Sequence, residues 1–192
     1  QSLDSVSFGG HILTGAYATP HASPFLEGLY TALAPICRLA ACGCDLTEQS
    51  LQVSFTLPET PAQSADYAVA AAMLLGLYRV MVECAIPTRR LSRTGGSTPD
   101  LLVVADACGE NCPNRFVTEG SHVFLWTPQM ARNGLPDFAA LRMDLTRIAD
   151  LRRKGVLRSA HLLCNESLTD ALAFMTTGEL SCKIKNTAII GD

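Results

Sequence analysis

No charge of one sign dominates this chain: 15 basic residues stand against 18 acidic ones, a net charge of −3 over 192 residues. That imbalance is too slight to draw the chain to nucleic acid or to a membrane surface. No stretch approaches the roughly 18 uninterrupted apolar residues of a spanning helix. The basic n-region and apolar h-region of a secretory signal are missing too, as are internal repeats and low-complexity segments. The first residue is Gln1 rather than methionine, which leads us to expect a segment of something longer. What is present is a globular composition at its apolar end, 48% hydrophobic and 17% charged. It can bury a core for one fair-sized domain or two small ones without covalent staples. Some of that apolar surface is expected to meet a partner.

There are eight cysteines, yet the C-x2-C knuckle of a structural zinc site is absent. Cys42-x-Cys44 with Cys108-x3-Cys112 is the nearest approach. Nothing points to an oxidising compartment, so we expect reduced, metal-free thiols, with Cys37, Cys84 and Cys164 buried among apolar neighbours.

Along the chain, Ser7 to Thr19 alternates loosely and is glycine-rich, which suits a strand and its turn. Ser23 offers a helix cap with Pro24 in the first position. Phe25, Leu26, Leu29, Leu33 and Ile36 form the helical stripe, which Pro35 should kink or end. Leu51 to Leu57 alternates with period two, placing Val53, Phe55 and Leu57 on one face of a half-buried strand. Ser64 caps a second helix, with Asp66 in its first turn. That helix is apolar on nearly all sides from Tyr67 to Met81, so it is expected at the centre of the fold. Pro87 to Pro99 reads as a loop, Leu101 to Ala107 as an interior strand, and Cys108 to Gly120 as a domain boundary. Ser121 to Trp126 follows as a strand. Asp137 then caps a helix bearing Phe138, Leu141, Leu145 and Ile148 on one face, stopped by Arg152, Arg153, Lys154 and Gly155. Ser167 and Asp170 make a capping box for a last helix ending at Gly178. A final strand runs from Ser181 to Ile190.

The stretch from Leu141 to Gly178 carries the most. A basic amphipathic helix leads through Gly155-Val156-Leu157-Arg158-Ser159-Ala160-His161, a short apolar strand, to an apolar helix. In outline it resembles the second half of formylglycinamide ribonucleotide (FGAM) synthase, of the AIR-synthetase-like superfamily. There an acidic, glycine-rich H-D-x-S-D-G-G turn follows the strand. Asp45 to Leu57, Asp66 to Cys84 and Thr94 to Ala107 match further family elements in order, more in pattern than in letters. The resemblance implies an α+β (α/β) fold of the AIR-synthetase (PurM-like) kind, with mixed sheets packed against helices. It implies an N-terminal domain over 1–114 and an incomplete C-terminal domain over 115–192.

The family's chemistry, binding of ATP and a phosphorylated substrate with magnesium, needs clustered carboxylates and glycine turns. Here His161 is followed by Leu162, Leu163, Cys164, Asn165, Glu166 and Ser167, so the motif's aspartates and glycines are gone. The family's G-K-D-S loop corresponds to Pro87-Thr88-Arg89-Arg90-Leu91-Ser92-Arg93, with no lysine and no acid. No catalytic residue and no metal ligand is assigned. Arg89, Arg90 and Arg93 with Gly95 and Gly96 are weak candidates to hold a phosphate, although a solvated loop explains them more simply. His161 is the one motif remnant, more ordinary as a hydrogen-bonded core residue. Glu166 and Asp170 are explained by capping, Cys164 by packing, and Trp126 by packing.

Degenerate chains of this kind are a feature of gammaherpesvirus large tegument proteins. The resemblance therefore implies a catalytically silent protein-binding scaffold in the virion tegument and host nucleus. Its implied partners are host nuclear proteins such as promyelocytic nuclear body components, other modules of the same chain, and a second copy. No cofactor, membrane or direct nucleic-acid contact is expected. An active or partly active FGAM synthase fragment, binding ATP and magnesium, is the competing expectation.

Overall fold

The computed structural model describes residues 2–58, 64–163, 166–176, 180 and 182. The fold is α+β. One five-stranded sheet is built from β1 (Ser2–Phe8), β2 (His11–Tyr17), β3 (Ser50–Pro58), β4 (Thr88–Gly96) and β5 (Asp100–Cys108). Its order is β1-β2-β5-β3-β4, and it is mixed because β3 and β4 run parallel while the other neighbours are antiparallel. Strands β1 (Ser2–Phe8) and β2 (His11–Tyr17) form a hairpin. Gly9 and Gly10 make its turn with φ of +59° and +81°, the two positive values that the favoured two-residue hairpin turn demands.

Helix α1 (Pro24–Ala41) starts where expected, with the Ser23 hydroxyl accepting from the Leu26 N–H at 3.3 Å. It does not stop at Pro35. Ile36, Leu39 and Ala40, beyond the proline, are fully buried, and that packing carries the helix six residues past the missing hydrogen bond. A single 3-10 turn, Leu46–Glu48, precedes the next strand. It leads into β3 (Ser50–Pro58), whose Leu51 and Val53 face the core.

Helix α2 (Ser64–Cys84) was expected at the centre and instead lies in the outer layer. Ala70, Met73, Leu77, Val80 and Cys84 are buried, whereas Tyr67, Leu75, Tyr78 and Val82 are 44–61% exposed. By length and mean hydropathy (1.5 over Ala65–Cys84) α2 could cross a bilayer, but its inner stripe joins the core formed with α1 and the sheet. Gly28 and Gly76 let α1 and α2 touch backbone to backbone. A Cβ at Gly28 would sit 1.8 Å from the Met73 carbonyl oxygen, and one at Gly76 2.0 Å from that of Phe25.

The expected loop at Pro87 to Pro99 is mostly strand β4 (Thr88–Gly96), paired with β3 from Leu51↔Thr88 to Pro58↔Gly96. The β3–α2–β4 crossover brings it to the sheet edge, where half its residues need no burial, so the apolar signal of a strand is missing. Strand β5 (Asp100–Cys108) is the interior strand expected, with Leu101, Val103, Ala105 and Ala107 buried. On the opposite face of the sheet Leu13, Leu102, Val104, Gln52 and Ser54 are half-buried.

Beyond β5 regular structure is sparse. Ser121 to Trp126 is irregular and exposed rather than a strand, and Gly155 to His161 likewise forms no ladder. Among the described residues neither stretch has a neighbouring strand to complete its hydrogen bonds. Helix α3 (Phe138–Arg153) has the expected bounds: Asp137 accepts from the Ala139 and Ala140 N–H groups, and Gly155 stops it at φ +70°. Helix α4 (Leu168–Met175) is capped by Ser167, which accepts from the Asp170 N–H at 3.1 Å. Cys164, Gly178 and the final strand fall outside the described residues.

Candidate functional site

Helix α1, the irregular 116–128 chain, the 156–163 segment and α4 enclose a cavity of about 800 Å³. Its walls are apolar because each contributor turns an apolar stripe inward. Tyr30, Leu33 and Cys37 come from α1, Phe124 and Trp126 from the irregular chain, and Leu168 and Leu172 from α4. Leu162 and Leu163, directly after His161, line it too. They share that lining with α1 and α4, and Leu163 is 37% exposed. Among the described residues the lining includes no aspartate or glutamate.

His161 is the best-placed polar group on that wall. Its Nε2 lies 2.6 Å from Glu166 Oε1, and its ring centroid is 5.0 Å from that of Phe174. This is a half-buried, hydrogen-bonded histidine on the cavity wall rather than in the core, and the bond joins the 156–163 segment to the start of α4. Glu166, read from sequence as a capping residue, is the acceptor. The Arg115 guanidinium stacks on the Phe174 ring at 5.3 Å.

Two arginines that sequence reasoning gave no site role hold the cavity wall. Arg38, buried in α1, donates to Ala160 O (2.7 Å), Cys112 O (2.6 Å) and Ser5 Oγ (3.3 Å). Arg152 donates to Leu157 O, Arg158 O and Asn111 O at 3.2–3.3 Å. Arg38 was legible as a charge within an apolar helix whose one other charge, Glu27, sits in the first turn; such a charge must find several acceptors to be buried. Arg152 had been read as a helix-end charge only. Trp126 is tied down by its indole N–H, which donates to Asp144 Oδ2 at 3.1 Å.

The arginine group does not reach the cavity. Arg89 lies 3.8 Å from Asp106, which also accepts from Ser50 Oγ. Pairing with Gln52 puts Arg90 on the open face of the sheet, and pairing with Phe55 puts Arg93 on the helix-covered side. Gly95 and Gly96 end the strand, and a Cβ at Gly96 would press on Thr56 Cγ2.

The seven described cysteines are free thiols. The two cysteine pairs do lie side by side: Cys42 Sγ accepts from the Cys112 N–H at 3.3 Å, and Cys44 Sγ lies 3.5 Å from Cys108 O. Among the described residues no three His, Cys, Asp or Glu side chains are grouped to hold a metal. Burial pushes the Cys44 thiol up to about 12 and Cys84 up to about 11, and raises Cys112 as well. Cys108 is exposed.

No protein-family model matches the sequence, and no curated protein matches it. Solved structures do match. Thermotoga maritima PurL complexed with ATP superposes with a TM-score of 0.62 at 12% identity, over 86% of this chain and 29% of that one. The same protein complexed with AMPPCP gives 0.54 at 14% identity, over 79% and 27%. The chain thus spans less than a third of these PurL structures. At such identity the likeness establishes the fold, which is the PurM-like fold of the AIR-synthetase class.

Proposed function

We propose that this chain is a catalytically silent, FGAM-synthase-like module that works as a protein-binding scaffold, of the kind carried by gammaherpesvirus large tegument proteins. The observation that carries the reading is the cavity wall, apolar and free of carboxylates among the described residues where the motif after His161 should run. A magnesium–phosphate site needs several oxygen ligands around one point. The nearest acid, Glu166, is engaged by His161, so the described residues do not fit that cofactor pair. They fit apolar side chains from a protein partner, and a contiguous apolar surface rimmed by polar groups marks an interaction site. On this reading the partners are host nuclear proteins, including promyelocytic nuclear body components, and the sites of action are the virion tegument and the host nucleus.

Isothermal titration with ATP and magnesium tests the proposal. No heat of binding up to millimolar ATP is expected. A micromolar dissociation constant would establish instead the rival reading, an FGAM synthase fragment that still holds its nucleotide.

A further inference from the structure

We propose that the outer edge of β4 is a docking strand for an extended acidic segment of a partner protein. This goes beyond the cavity reading and does not depend on it. Strand β4 is the last in the sheet, nine residues long, and among the described residues only β3 pairs with it. Alternate residues of an edge strand turn their N–H and C=O groups outward, which offers a ready ladder to another chain. Strand addition of this type takes its affinity from the main chain and its selectivity from side chains on the two faces.

The side chains here select charge. Arg90 and Arg93 are exposed and have neither a carboxylate nor another acceptor among the described residues. Register with β3 sets Arg90 on the open face, and Leu91 and Arg93 together on the other. Leu91, 64% exposed, adds an apolar spot two residues from Arg93. A second copy of β4 would crowd its Arg89, Arg90 and Arg93 beside those of the first within a few residues, and like charges on neighbouring strands are destabilising. The same two arginines favour a strand with acids opposite both. Antiparallel addition, the commoner and slightly more stable pairing, fixes the pattern. Reading along the incoming strand, an acid faces Arg93, a free position faces Ser92, an apolar residue faces Leu91, and a second acid faces Arg90. The occupant is therefore an acid–x–apolar–acid segment flanked by β-branched residues.

The test uses an end-blocked, fluorescein-labelled peptide, Thr-Thr-Glu-Thr-Val-Glu-Thr-Thr, titrated with the full chain by fluorescence anisotropy at low salt. Saturable binding is expected. R90E/R93E should weaken it about tenfold or more, and a peptide with lysine in place of both glutamates should bind R90E/R93E better than it binds the parent protein. Both arginines are exposed, so circular dichroism should report an unchanged fold for the variant. N-methylating the peptide at alternate ladder positions should abolish binding. Absence of binding, equal binding by R90E/R93E, or binding that survives N-methylation in both alternate registers would each overturn the proposal.

Discussion

Replacing Gly28 with alanine sets two principles against each other with opposite signs. In an isolated helix, Gly→Ala stabilises by about 1 kcal/mol. Here the added Cβ would lie 1.8 Å from the carbonyl oxygen of Met73, and that atom belongs to the backbone of α2 and cannot rotate away. Restoring ordinary contact requires α2 to retreat by about 1.5 Å, taking a real Cβ contact as about 3.4 Å. The retreat loosens Met73, Leu77 and Val80, which are at most 4% exposed. Overpacking a rigid core costs about 1–3 kcal/mol and more where backbone must move, so we set the gross cost near 4 and the net near 3 kcal/mol. For a domain of this size, that lowers Tm by about 6–12 °C. Gly76→Ala meets the Phe25 carbonyl at 2.0 Å and should behave alike. The double variant should cost less than the sum, because one shift of α2 relieves both clashes. Thermal and urea melts followed by far-UV circular dichroism measure all three. A neutral or stabilised Gly28→Ala would mean that the two helices do not touch as described.

Leu163→Asp should destabilise by only about 1 kcal/mol, because the residue is 37% exposed on the cavity wall; a loss above about 3 kcal/mol in thermal melts would show the wall to be closed. His161→Ala breaks the bond to Glu166 and should cost about 1 kcal/mol, with no change in any activity if the histidine is structural. The thiols of Cys44 and Cys84, pushed up to about 12 and about 11 by burial, contribute stability that is complete below the unfolded thiol value near 9. That stability should be lost as pH rises from about 9 towards 11–12, so urea midpoints at pH 8 and pH 10.5 should differ in that direction. The open face of the sheet, with Leu13, Leu102 and Val104 half-buried and Val6 and Phe8 exposed, should drive self-association at high concentration. Light scattering that finds a strict monomer, or a Val104→Arg variant that associates as the parent does, would refute this.

Where a segment carried its own stop and start signals, the sequence was enough. Asp137 and Gly155 bracket α3, Ser23 and Pro24 open α1, and the continuous run in β5 could only be an interior strand. Reading failed where the deciding partner lies far along the chain. Pro35 was outvoted by contacts to the sheet, and Thr88–Gly96 became a strand because β3 supplies a ladder that its own polar letters do not advertise. Helix α2 is apolar all round, and nothing in its period says which half is covered by α1. Ser121–Trp126 has the letters of a strand and, among the described residues, no neighbour to make it one. The cavity was legible only through the loss of acids after His161. Arg38 and Arg152, which shape it, act through main-chain carbonyls and leave no pairing signature in the sequence.

Those guanidinium contacts bear on how the chain tolerates change. Arg38 and Arg152 grip the main-chain oxygens of Asn111, Cys112, Leu157, Arg158 and Ala160, and a carbonyl is the same whatever residue it belongs to. Where the wall runs through Leu157, Arg158 and Ala160, its path is thus held by two side chains whose grip does not depend on what those residues turn toward the cavity. Substitutions at Leu157 or Ala160 can alter what the cavity accepts and leave that stretch standing, whereas the loss of Arg38 or Arg152 frees its main chain. Such a division of labour lets a binding surface be rewritten many times on one unaltered frame.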